Sequence, residues 1–258
     1  MVEYYKYCEE FERIYKEIRL HSNLEETIDG IFRERVYLDE RMRNTLRDLG
    51  VFYIDEFLFE DYNISMERFE KFGLLTKNKN FLLERGYGIP VRDIESNLQA
   101  LVAYYPNTST AYKYRTTPAK YFFKKYSFFN IDWVVENFGF EWVVLVEGMF
   151  DAIALRSVGI PAIATMGSEL TRAKIEILKM FKKVIAVPDN DKTGSKEFSS
   201  WHLEGNFTFV KFEGSGIVQI DEEQYRIKDC DDLVKFFDVK PLFEEFKHSK
   251  SRLEKIEI

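Results

Sequence analysis

Apolar positions along this chain change their period near residue 140, and the change divides it. In the first stretch Phe11, Ile14, Tyr15 and Ile18 recur at helical spacing. Ser22 or Asn23 offers a cap for a second helix opening with Leu24-Glu25-Glu26. Gly50 closes a further helix that covers Asn44 to Leu49. Residues 1–50 are therefore expected to form a helical N-terminal region, with a partner surface as its candidate role. Ile54 to Leu75 reads as two short helices, and Leu82 to Pro90 as a turn-rich passage around Gly86 and Gly88. Leu98-Gln-Ala-Leu-Val-Ala-Tyr-Tyr reads as a strand, ended by Pro106-Asn107.

From Phe140 the pattern becomes apolar runs separated by amphipathic segments. Glu141-Trp-Val-Val-Leu-Val-Glu147 is a short run of the kind found in buried parallel strands. Met149 to Val158 is helical and closed by Gly159. Ile160 to Thr165 is a second strand, Thr171 to Phe181 a second helix, and Lys183 to Asp189 a third strand. Ser195 to Leu203 and Asn206 to Phe212 supply a third helix and a fourth strand. Strands alternating with helices predict an α/β domain with a mainly parallel, four-stranded sheet flanked by helices. The expected organisation is the helical region at 1–50, a mixed α+β subdomain at 51–139, the α/β domain at 140–240, and a short tail at 241–258.

Composition narrows the class. The chain has 258 residues, 45% of them hydrophobic and 31% charged, enough to bury a sizeable core. No run of 18 apolar residues is present, so no membrane-spanning helix is expected. Met1-Val-Glu-Tyr-Tyr-Lys does not read as a secretory signal, and two distant cysteines suit a reducing cytoplasm. Cys8, Cys230 and three histidines cannot assemble an ordinary zinc site. The net charge of −7 argues against indiscriminate nucleic-acid binding but leaves room for a local basic groove.

The chemistry is concentrated in acids at predicted strand ends. Glu147 follows the first parallel strand, and Asp189 and Asp191 follow the third. Parallel sheets place their ligand crevice outside the carboxyl ends of the strands. Asp229, Asp231 and Asp232 follow the fourth strand. An Asp-x-Asp pair supplies hard oxygen ligands for Mg²⁺. Taken singly, each pair is more often a solvated turn; their shared sheet edge is the reason to read them together.

Four segments carry a resemblance. They are Glu147-Gly-Met-Phe-Asp151, Thr165-Met-Gly167-Ser-Glu-Leu-Thr171, Asp189-Asn-Asp191-Lys-Thr-Gly194 and Asp229-Cys-Asp231-Asp232. In order and spacing they resemble the TOPRIM domain, in the form found in bacterial replicative primases of the DnaG type. Upstream, Ile89-Pro-Val-Arg92-Asp, Tyr112-Lys113-Tyr114 and Phe122-Phe-Lys124-Lys125 resemble motifs of the same family's polymerase core. The similarity covers about residues 55 to 237.

The resemblance implies nucleotidyl transfer in a replisome: template-directed synthesis of short RNA on single-stranded DNA from ribonucleoside triphosphates, with a phage-encoded protein expected. It implies two or more Mg²⁺ or Mn²⁺ ions held by Glu147, Asp189, Asp191, Asp229 and Asp231, with Glu147, Asp189 and Asp191 as catalytic residues. It further implies that Gly148, Asp151 and Gly194 support the site. Template and triphosphate fall to Arg92, Lys113, Arg115, Lys124 and Lys125. A replicative helicase or a separate zinc-binding subunit are the candidate partners. One departure stands out: where the family has Gly-Gly-Arg, this chain has Ala103-Tyr104-Tyr105. Two alternatives share the acidic set: a TOPRIM metal-dependent nuclease, and a non-catalytic DNA-binding replication or recombination subunit.

Overall fold

A computed structural model describes residues 1–22, 24–34, 39–106, 113–117, 122–166, 170–190, 206–213, 216–220 and 223–257. The chain divides into two units, Met1–Phe122 and Phe123–Ile258. The boundary falls earlier than the expected change near residue 140, because Phe128, Ile131 and Val134 already belong to the core of the second unit.

In the first unit, helix α1 (Val2–Leu20) buries Phe11, Ile14, Tyr15 and Ile18, the face expected from their spacing. Helix α2 (Leu24–Glu34) and helix α3 (Glu40–Leu49) follow. The carboxylate of Asp39 caps α3 by accepting the Met42 N–H at 3.1 Å. Gly50 ends it at φ 74°, in the left-handed region that glycine adopts without penalty. An antiparallel sheet runs β1 (Phe52–Ile54), β2 (Gly86–Arg92), β3 (Leu98–Tyr104), β4 (Tyr114–Thr116), in that spatial order. A 3-10 turn (Phe59–Asp61) and helix α4 (Met66–Lys71) fill the connection between β1 and β2, matching the two short helices expected.

The turn-rich reading of residues 82–90 is corrected: Gly86 onward is strand β2. Gly86 is there for close approach. A Cβ on it would lie 2.6 Å from the Tyr105 ring. Tyr53, Tyr87, Tyr104 and Tyr114 stand opposite one another in register, one on each strand. Their successive ring centroids are 5.0, 6.3 and 5.2 Å apart.

The second unit opens with helix α5 (Ile131–Phe138) and then alternates as expected. Strand β5 (Trp142–Val146), helix α6 (Met149–Ser157), strand β6 (Ala162–Ala164), helix α7 (Arg172–Leu178) and strand β7 (Lys183–Ala186) come in sequence. Strand β8 (Phe207–Glu213) follows, then a hairpin of β9 (Ile217–Ile220) and β10 (Glu223–Arg226). The helix expected at Ser195–Leu203 lies outside the described residues. Helix α8 (Cys230–Phe236), helix α9 (Lys240–His248) and strand β11 (Leu253–Glu257) complete the unit.

The sheet is parallel throughout and has five strands in the order β11-β8-β7-β5-β6. This corrects the four-stranded expectation and the short tail at 241–258. Strand β11 pairs along β8 from Leu253 to Glu257, and Ile256 is buried. The alternation Leu-Glu-Lys-Ile-Glu is too charged to announce a sheet member, as edge strands often are. Strands β6 and β7 lie on opposite sides of β5. That reversal opens a crevice at the carboxyl end of β5.

Candidate active site

Strand β5 is buried at all five positions and delivers Glu147 to the carboxyl edge of the sheet. The Glu147 side chain reaches the end of β7, where its Oε1 accepts the Asp189 N–H at 3.4 Å. So the Glu147 carboxylate and the Asp189 main chain meet at the carboxyl ends of the first and third parallel strands.

Gly148 begins α6, and the reason for a glycine is local. A Cβ there would lie 2.4 Å from Asp151 Oδ2. The missing side chain lets the Asp151 carboxylate fold back over the helix start. Asp151 is 6% exposed. Its Oδ1 accepts the Asp231 N–H at 3.0 Å, which ties α6 to α8. Burial first, then the charges of Asp229, Asp189 and Asp231, push the Asp151 carboxyl well above the ordinary carboxylate range; the Asp231 N–H works against this. Asp151, Asp189, Asp229 and Asp231 therefore feel one another through a desolvated region.

Asp229 has a second task. It caps α8 by accepting the Asp232 N–H at 2.9 Å. Burial raises its pKa, the capping N–H lowers it, and the charges of Asp232 and Asp231 raise it again. Cys230, buried between these acids, has its thiol pushed up by burial and then by Asp151 and Asp229. That favours the neutral thiol, not a thiolate nucleophile.

Lys235 is the residue that sequence reading missed. It lies 3.3 Å from Asp231 and 3.2 Å from Asp232. Burial opposes its charge, but the two carboxylates outweigh burial and hold its pKa up. The signal was present as spacings of three and four residues on one helix. Lys174 was also missed. It is 2% exposed and donates to the Thr165 carbonyl at 2.7 Å, at the end of β6. An isolated lysine in an amphipathic helix gives no sign of burial.

Asp191 and Gly194 lie outside the described residues. Among the described residues no group of three acids, histidines or cysteines is placed to hold a metal ion. The donors that do gather are hard carboxylate oxygens, and their mutual repulsion is what a divalent cation would relieve. In kind, these oxygens suit such an ion.

The basic residues are distributed between the units. Lys113 and Arg115 belong to the first and are exposed; Lys124 and Lys125 belong to the second and are exposed. The Lys125 ammonium stands 4.8 Å from the Tyr126 ring centroid. Arg92, expected at the template or triphosphate, is engaged within the first unit. Its guanidinium forms a two-point ion pair with Glu12, at 2.7 and 3.2 Å, and donates to the Ser96 carbonyl at 3.0 Å. The fork geometry of arginine suits this clamp, and the clamp fastens α1 to the sheet.

The parallel sheet thus carries a strand-final glutamate and two aspartate segments at one edge. Residues 144–208 match the Toprim-like family. The chain has the fold of the DnaG-type primase catalytic core. It resembles the RNA polymerase domain of Mycobacterium tuberculosis primase DnaG with a TM-score of 0.69 at 18% identity, over 93% of this chain and 82% of that one. A DnaG primase catalytic domain solved bound to ssDNA gives 0.68 at 17% identity, over 93% and 77%. In sequence, an alignment of 143 positions that covers 52% of this chain and 25% of the relative gives 35% identity to a DNA primase of Thermotoga maritima. The matched region thus spans about a quarter of the length of that relative.

Proposed function

We propose that this chain makes short RNA primers on single-stranded DNA. The observation that carries this reading is the gathering of Glu147, Asp151, Asp189, Asp229 and Asp231 at the carboxyl edge of one parallel sheet. The primase relatives and the shared fold support it.

Glu147, Asp189 and Asp231, with Asp191, would hold Mg²⁺ or Mn²⁺. When bound, such ions supply positive charge to the oxygens that gain charge during phosphoryl transfer. The reaction joins a primer 3′-hydroxyl to the α-phosphate of a ribonucleoside triphosphate and breaks the bond to pyrophosphate. Glu147 fixes the main chain of Asp189 by accepting its N–H. Asp151 sets the start of α8, and hence the position of Asp231, through the bond between them. Asp229 serves first as a helix cap. Lys113, Arg115, Lys124 and Lys125 bind phosphates of template and triphosphate, where cations offset backbone charge.

Primer synthesis on single-stranded templates, with labelled ribonucleotides and Mg²⁺ or Mn²⁺, tests the proposal. Glu147→Gln and Asp189→Asn are expected to abolish synthesis while circular dichroism stays unchanged. Normal primer yield from either variant refutes the assignment. Metal-dependent DNA cleavage without triphosphates would instead mark a Toprim nuclease. Strand binding with neither chemistry would mark a non-catalytic replication or recombination subunit.

A further inference from the structure

Strand β3 ends at Tyr104 and Tyr105 follows it, each ring facing a cation. The Lys113 ammonium lies 5.6 Å from the Tyr104 ring centroid. The Arg115 guanidinium lies 5.6 Å from the Tyr105 ring centroid. Both rings are fixed from behind. Tyr104 is 3% exposed and sits between Tyr87 and Tyr114 in the tyrosine row. The Tyr105 hydroxyl donates to the Leu82 carbonyl, and its ring lies against the bare backbone of Gly86. The two cations are themselves placed by the strand pairing. The Tyr105 N–H donates to the Lys113 carbonyl at 2.9 Å, and Arg115 stands opposite Ala103.

We infer that Tyr104 and Tyr105 are positioning residues that hold Lys113 and Arg115 ready for nucleic-acid phosphate. This rests on the reading of the chain as a polymerase of single-stranded templates. A ring face attracts a cation without cancelling its charge. A carboxylate partner does the opposite, as Glu12 does to Arg92 in the same unit. Long basic side chains lose much rotamer freedom when they bind a ligand, and a rigid platform reduces that loss in advance.

The test measures binding of a fluorescein-labelled oligothymidylate by anisotropy, at several salt concentrations, with the full chain. Tyr104→Phe keeps the ring and is expected to bind as the wild type does. Tyr104→Leu and Tyr105→Leu are each expected to weaken binding roughly two- to five-fold. Replacing Tyr104 by pentafluorophenylalanine keeps the ring shape but reverses its quadrupole, so it reads the same loss should the leucine variant not fold. In a cycle with Lys113→Ala, the Tyr104→Leu loss should vanish, because the tyrosine acts through the lysine. Lys113→Ala should also flatten the salt dependence by about 0.7 in log–log slope. Losses that simply add, or leucine and pentafluoro variants that bind like wild type, overturn the inference alone. Failure of the wild-type protein to bind the strand overturns the functional reading, and this inference with it.

Discussion

The main-chain N–H of Asp231 donates to Asp151 Oδ1 at 3.0 Å, joining two acidic segments eighty positions apart. Each segment alone would repel the other. The bond sets their spacing and leaves the repulsion in place.

That stored repulsion makes Asp151→Asn informative. The Asp151 carboxyl has a folded pKa above its unfolded one, so ionisation penalises the native state. The penalty is present above the folded value and fades as pH falls through it. The amide still accepts the Asp231 N–H. Without divalent metal, Asp151→Asn is expected to raise the melting temperature at pH 7 by roughly 2–8 °C, and the gap should close on acidification. Primer synthesis should fall roughly 10–100-fold, as for residues that orient metal ligands. Calorimetry across pH together with a primer assay checks both; a variant less stable than wild type at pH 7 contradicts the argument.

Gly148→Ala puts a methyl group into space that the Asp151 carboxylate occupies. A loss of about 1–3 kcal/mol in stability is expected. Combining it with Asp151→Ala removes the obstructing oxygen and should recover most of that loss. Urea denaturation of the single and double variants measures the recovery.

A milder effect is expected at Glu10, which joins α1 to α4. Lys71 first, and Arg68 with it, hold its carboxyl below the usual range against the effect of burial. Its stabilisation is therefore present above the unfolded value and is lost as pH falls through the folded one. Glu10→Gln should cost about 0.2–1 kcal/mol at pH 7. Denaturation repeated at pH 3 should show a smaller difference.

Ending the chain after His248 removes β11. The pairing with β8 is lost, as is the Ser249 carbonyl to which the Lys183 ammonium donates at 2.6 Å. Lys183 and Thr208 would face solvent. A melting temperature lowered by roughly 10 °C or more, or insolubility, is expected; a shortened protein as stable as the parent would show that β11 adds nothing.

Much of this was legible because it was local. The run from Trp142 to Val146 could hardly be anything but a buried strand, and its end placed Glu147 without further information. The helical spacing of Phe11, Ile14, Tyr15 and Ile18 gave α1 its buried face. What stayed hidden depended on distant partners. Gly86 and Gly88 looked like turn residues because Tyr105 and Phe52, the side chains that need their bareness, are remote in sequence. Arg92 sat inside a motif-like string, and nothing nearby announced Glu12. Lys235 bridges two acids of its own helix, yet a lysine beside acids is commonplace on solvated faces.

Because the sheet is parallel throughout, every one of its pairings must wait for a crossover, and the outermost waits longest. Strand β11 cannot find β8 until residues 253–257 have left the ribosome. During synthesis the nascent second unit therefore exposes one flank of β8, and a chaperone that shields unpaired strand edges would favour its yield.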